Sequence, residues 1–152
     1  MTDSAPDAES IFAAAAARAR EKNVPFAGLL TPREAWTLKE AGALELVDTR
    51  TNAERDLIGY VPDTIPIEWY DYPGKVRNPR FMEALRDKVK PERAVAFLCR
   101  TGVRSGHAAT LATENGYARA YNILEGFEGD KNASAQRRVN GWQVAGLPWR
   151  QD

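Results

Sequence analysis

Apolar positions along this chain gather in short blocks, and the spacing within each block predicts its element. Leu44-Glu45-Leu46-Val47-Asp48 is a brief apolar run ending in polar residues, the pattern of a buried strand that delivers Asp48, Thr49 and Arg50 to its carboxyl end. Residues 94–98 are continuously apolar, as in a strand covered on both faces, and the run ends at Cys99. Residues 120–124 predict one more strand. Ile65-Pro66-Ile67 is a weaker candidate that belongs at an edge or a strand end, because proline donates nothing to a ladder.

Helical spacing fills the intervals. The alanine-rich opening predicts a helix from Ser10 to Lys22, ending before Asn23-Val24-Pro25. Thr31-Pro32-Arg33-Glu34 combines an N-cap hydroxyl, a proline at the first helical position and a glutamate three residues after the cap, so a helix follows to about residue 41 and stops at Gly42. Phe81, Leu85 and Val89 recur every four residues after Asn78-Pro79. Residues 103–115 place Ala108, Leu111 and Ala112 on one side, with Gly116 as the stop. Strands alternating with helices predict an α/β domain: a central, mainly parallel sheet with helices on both faces. Sites in such sheets form beyond the carboxyl ends of the strands.

Length fits this picture: 152 residues suit one domain, read here as a helical extension over residues 1–30 followed by a domain over 31–152. Twenty-one basic residues balance twenty-one acidic ones, so no global field draws the chain to nucleic acid or to a membrane surface, and anion recognition has to be local. The apolar run from residue 11 to 17 is too short to span a bilayer. Acidic residues ahead of it, Asp3, Asp7 and Glu9, do not make a secretory leader, so the expected location is the cytoplasm, where a thiol stays reduced. A single cysteine excludes an internal disulfide, and with a single histidine it leaves no set of Cys/His ligands for a metal.

Cys99 is therefore either a small core residue or a reagent. Its neighbours favour the second. Cys99-Arg100-Thr101-Gly102-Val103-Arg104-Ser105 joins an apolar strand to a helix, so backbone N–H groups and the helix dipole can converge on the loop centre and favour an anion there. Arg100 and Arg104 add two permanent charges, and Gly102 permits close backbone approach. Burying two unpaired arginines beside a core cysteine would be costly.

The run C-R-T-G-V-R-S resembles the active-site loop of the rhodanese family. Leu46-Val47-Asp48-Thr49-Arg50 resembles the family's strand motif ahead of that loop. Asn122-Ile123-Leu124-Glu125-Gly126 resembles its following strand and turn, and Gly141-Trp142 with Gly146-Leu147-Pro148 its closing segment. The resemblance runs from about Thr31 to Trp149. Where many members carry Gly-His-Ile-Pro-Gly-Ala, this chain has Gly59-Tyr60-Val61-Pro62-Asp63-Thr64, so no role is carried over to the histidine position.

The resemblance implies a sulfurtransferase in which Cys99 takes a sulfane sulfur from a small anionic donor such as thiosulfate and passes it to a thiol, to cyanide or to a protein acceptor. No cofactor is implied. Arg100, Thr101, Gly102, Val103 and Arg104 would bind the donor, with Asp48, Arg50 and Ser105 in support. Alternatives stay open at several positions: one of the two arginines, Arg104 above all, faces outward or pairs with Asp48 instead; Ser105 merely starts the helix; His107 is a solvated helical side chain; and the four tryptophans are packing residues. A persulfide carrier or a protein-binding module fits the same loop. Related phosphatases and arsenate reductases place five residues between cysteine and arginine, whereas Cys99 and Arg104 enclose four.

Overall fold

The computed structural model describes residues 7–151, in which helices and strands alternate: α1 (Ala8–Lys22), β1 (Gly28–Leu30), α2 (Pro32–Glu40), β2 (Glu45–Asp48), α3 (Asn52–Ile58), β3 (Ile65–Pro66), α4 (Phe81–Lys88), β4 (Val95–Leu98), α5 (Val103–Glu114) and β5 (Ala120–Ile123). All strands pair in parallel, in the order β1-β5-β4-β2-β3. The expected α/β architecture is therefore what forms. No helix among the described residues is long and apolar enough to cross a membrane.

Period-two alternation in the central strands divides the core. Leu46, Ala96, Leu98 and Ile123 face Ile11, Ala15, Ala35 and Leu38 of α1 and α2. Val47, Val95, Phe97 and Ala120 face Phe81 and Leu85 of α4 and Ala108, Ala109 and Ala112 of α5. Each large side chain so buried contributes about 1.5–3 kcal/mol. Because both faces are covered, β4 reads as an unbroken apolar run instead of an alternating one. Pro66 closes the two-residue edge strand β3, where its missing N–H costs no ladder bond.

Two elements escape the sequence pattern. The first is β1, which pairs with β5 at Gly28↔Tyr121, Leu29↔Asn122 and Leu30↔Ile123, so residues ahead of Thr31 supply a strand of the sheet as well as the opening helix. Gly28 is needed there, since a Cβ would lie 2.8 Å from the Tyr121 ring and 2.9 Å from the Ala15 backbone. Arg18 of α1 bonds the Leu29 carbonyl and, twice, the Glu34 carboxylate of α2. The second is α3, a seven-residue helix whose Thr51/Glu54 capping box repeats the Thr31/Glu34 box of α2. It has no fully buried side chain, so its apolar signal is weak.

The C-terminal segment returns across the face that α1 and α2 cover. Trp142 is fully buried, meets Trp36 edge-on at 5.9 Å, and donates its Nε1–H to the Pro148 carbonyl at 2.8 Å. Tyr60 and Arg150 then exchange two backbone hydrogen bonds of 2.8 Å, which closes the segment onto the end of α3.

Candidate active site

Cys99 lies at the carboxyl end of β4, 1 % exposed, at the floor of a cavity of about 400 Å³. Trp69, Tyr70, Arg100, Val103, Arg104 and His107 are among its walls. The Gly102 N–H donates to Cys99 Sγ at 3.0 Å, and the Ser105 hydroxyl lies 3.2 Å from it. Gly102 adopts φ +107, a conformation that favours glycine, and so turns the loop back over the sulfur before α5 begins at Val103.

Three of the loop's carbonyls are anchored from outside. Phe127 N–H bonds the Cys99 carbonyl at 2.8 Å, Glu128 and Gly129 N–H bond the Arg100 carbonyl at 3.0 and 3.2 Å, and Asn122 Nδ2 bonds the Gly102 carbonyl at 3.0 Å. A trans peptide points its N–H opposite to its C=O, so anchoring these carbonyls turns the amides of Arg100, Thr101 and Val103 to the other side. Those amides, with that of Arg104, donate to no protein group among the described residues. Of the loop amides only that of Gly102 reaches the sulfur, and the others are left without a described protein acceptor.

Gly126 makes this backing fit: a Cβ there would sit 2.5 Å from the Arg100 carbonyl and 2.6 Å from that of Cys99. Its φ of +69 is likewise one that L side chains rarely adopt.

The two loop arginines have different surroundings. Arg100 is exposed and forms no ion pair with a described residue. Arg104 is 9 % exposed, makes a two-pronged ion pair with Glu54 at 2.6 and 2.9 Å, and lies 4.7 Å over the Tyr70 ring. An Arg104–Asp48 pair, one of the sequence alternatives, is thus corrected: Glu54 of α3 is the partner, and the Asp48 carboxylate is taken by Arg50 and Arg55. Burial alone would raise the Glu54 carboxyl, yet the Arg104 bonds, the Thr51 N–H and the charges of Arg104 and Arg50 hold it at about 2. The same pairing raises Arg104 against the opposing effect of burial.

Asp48 is bonded away from the cysteine loop. Its carboxylate takes Arg50 Nε and Nη2 at 3.2 and 3.1 Å and Arg55 Nη1 at 2.7 Å. Arg50 is completely buried, bonds the Gly59 carbonyl at 2.6 Å and lies 4.2 Å over the Phe127 ring. Asp48 therefore braces the segment that carries α3, and through Glu54 that segment holds Arg104. Thr49, whose hydroxyl and N–H both bond the Leu98 carbonyl, fastens the end of β2 to the end of β4.

Ser105 and Asn122 join the sulfur in one buried network, with Ser105 Oγ 2.5 Å from Asn122 Oδ1. Asn122, Glu54 and Trp69 are site residues that the sequence reading does not single out. The Thr-x-x-Glu box at Thr51 is a readable signal for Glu54, whereas Asn122 sits inside an otherwise apolar strand and announces itself only by being polar there. His107 is exposed and lies at the cavity rim, 6.2 Å from the Trp69 ring.

Several known proteins resemble the chain over most of its length. An uncharacterized protein of Rickettsia conorii is 34% identical over 111 residues, covering 69% of this chain and 81% of its own length. A protein of Actinobacillus pleuropneumoniae named thiosulfate sulfurtransferase GlpE is 28% identical over 119 residues, covering 78% of this chain and 89% of its own. The crystal structure of Rv0390 from M. tuberculosis superposes with a TM-score of 0.76 at 40% identity, covering 84% of this chain and 99% of that one. The rhodanese-like domain matches residues 31–133, a span that contains β2, α3 and the whole cysteine loop, and the chain belongs to that family.

Proposed function

We propose that the protein is a sulfurtransferase that moves a sulfane sulfur from a small anionic donor, with thiosulfate as the reference, to a thiophilic acceptor through a persulfide on Cys99. One observation carries the reading: a cysteine lining a cavity, in a loop whose free amides donate to no described protein group, with an arginine in the same lining that forms no ion pair with a described residue. The similarity to a protein named thiosulfate sulfurtransferase supports it.

In the first half-reaction the Cys99 thiolate attacks the outer sulfur of the donor. The donor's S–S bond breaks, sulfite leaves with the electron pair, and an Sγ–S bond forms. Arg100 receives the oxyanion end of the donor as a planar, permanently charged partner. Gly102 N–H and the Ser105 hydroxyl hold the inner sulfur, while the amides of Arg100, Thr101, Val103 and Arg104 receive the charge on the added one. In the second half-reaction a thiolate or cyanide attacks the outer sulfur, the Sγ–S bond breaks, and its electron pair returns to Cys99. No outside oxidant or reductant is required. Arg104, with its charge engaged by Glu54, acts chiefly as a wall of the cavity.

The test is intact-protein mass spectrometry after incubation with thiosulfate, followed by addition of cyanide. The expected result is a gain of one sulfur at Cys99, its loss to cyanide as thiocyanate, and neither step in Cys99→Ser. Wild-type protein that gains no sulfur but hydrolyses an aryl phosphate would overturn the reading in favour of a phosphatase. Sulfur gained but held against every small acceptor would replace the turnover enzyme with a persulfide carrier serving a protein partner.

A further inference from the structure

A second cavity of about 300 Å³ adjoins the one above Cys99 and shares Tyr70, Arg100 and Arg104 with it. Its remaining walls come from two elements. Ala53, Leu57 and Ile58 of α3 form an apolar side, and Tyr72 and Lys75 come from the turn between Tyr70 and Arg77, which pair as an antiparallel bridge. Leu57 is 74 % and Tyr72 64 % exposed, so large apolar surface is left open to water within one concave site. Lys75, like Arg100, forms no ion pair with a described residue, whereas Arg104 is neutralised by Glu54. The cavity thus offers an apolar wall with two uncompensated cations near it.

Thiosulfate and cyanide have no use for such a wall. Both are small and inorganic, and the loop cradle with Arg100 is sufficient to receive them. An organic reactant with an apolar body and an anionic group matches it: the body lies against Ala53, Leu57 and Ile58, and a carboxylate reaches Lys75. The shared wall at Tyr70 and Arg100 leads from this cavity to the sulfur.

Resting on the sulfurtransferase reading above, we propose that the cavity between α3 and the turn carrying Tyr72 and Lys75 is the acceptor subsite, and that it selects organic thiols carrying a carboxylate. With such a thiol bound, its thiolate attacks the outer sulfur of the Cys99 persulfide. The Sγ–S bond breaks, its electron pair returns to Cys99, and the product leaves as an organic persulfide that keeps the carboxylate.

Two measurements test this on wild type, Lys75→Ala and Leu57→Asp. The first is binding of sulfur-free probes, followed by calorimetry and amide chemical shifts. 3-Phenylpropanoate should bind saturably and shift residues 51–58 and 70–75, with its neutral amide about fivefold weaker and each variant weakening the carboxylate about fivefold, as expected for a partly exposed ion pair or a lost apolar contact. The second is the ratio of kcat/KM for 3-mercaptopropionate to that for 2-mercaptoethanol on thiosulfate-loaded protein, which should exceed one in wild type and fall toward one in Lys75→Ala. Equal binding of acid and amide, shifts elsewhere on the surface, or variants that bind as wild type does would overturn the subsite. Sulfur loading without probe binding sinks the subsite alone. Probe binding without sulfur loading sinks the sulfurtransferase reading, and the acceptor role with it.

Discussion

Ser105 Oγ stands 2.5 Å from Asn122 Oδ1 and 3.2 Å from Cys99 Sγ, and a hydroxyl has one proton to give. Asn122 cannot turn its amide over, because its Nδ2 is bonded to the Gly102 carbonyl. When the sulfur carries a proton, Ser105 accepts from it and donates to Asn122; when the sulfur is an anion, the hydroxyl swings to the sulfur and Asn122 Oδ1 gives up that bond. Asn122 thus competes with the sulfur for Ser105 and at the same time fixes the peptide that presents the Val103 amide. Ser105→Ala should slow sulfur loading from thiosulfate about tenfold, the scale of one hydrogen bond to a charged group. Asn122→Ala frees that hydroxyl for the sulfur but releases the Gly102 carbonyl, so Asn122→Asp, which keeps the Oδ1 acceptor and removes the Nδ2 donor, isolates the anchor and should slow loading. Rapid-quench mass spectrometry reads the rates, and a Ser105→Ala rate equal to wild type would refute the pairing.

The Arg104–Glu54 pair has a pH signature. The unfolded chain protonates Glu54 near 4.5 and the folded protein only near 2, so the pair's stabilisation is whole above about 4.5 and drains away as the pH falls toward 2. Glu54→Gln should cost about 2 kcal/mol at neutral pH, less than a fully buried broken pair. The deficit relative to wild type should shrink by pH 3. Urea unfolding at pH 7 and pH 3 measures it, and an equal deficit at both would show that the pair is not the source.

Gly126→Ala places a methyl group against two carbonyls of the cysteine loop and forces a positive φ on alanine. The loop has to shift, so stability should fall by about 2–4 kcal/mol and sulfur loading should be lost before the fold is. Circular dichroism paired with the loading assay separates the two effects. An active, stable Gly126→Ala protein would mean the turn does not support the loop.

Arg50→Met keeps the volume over Phe127 but removes the partner of a fully buried carboxylate and the bond to the Gly59 carbonyl. About 3 kcal/mol should be lost in thermal unfolding, because Asp48 keeps only Arg55 as a charged partner, beside the backbone N–H of residue 50. Arg50→Met/Asp48→Leu should recover part of that loss, and no recovery would argue against the ion pair as its source.

Much of this arrangement is legible in the residues. The apolar run before Cys99 and the Thr31 capping box each fix a strand or helix by local physics alone, and both stand where the pattern puts them. Edge strand β1 stays hidden because three residues, one of them glycine, are too short to show a period. Helix α3 stays hidden because it buries nothing fully. The same reason explains why the partner of Arg104 is not the Asp48 named among the alternatives: an ion pair across fifty residues of sequence depends on where α3 lands, and nothing local to Arg104 encodes it.

Strand β1 lies ahead of the stretch that matches the family, yet it runs alongside β5 with parallel backbone bonds. Cutting the chain at Thr31 would strip that cover and leave a bare row of peptide groups, with the Tyr121 ring uncovered beside it. Such a border invites a neighbouring molecule to add its own strand. The opening segment replaces that border with the shorter edge of β1, whose Leu29 carbonyl is taken by Arg18, so a fragment trimmed to the family's limits would expose a longer and less protected edge.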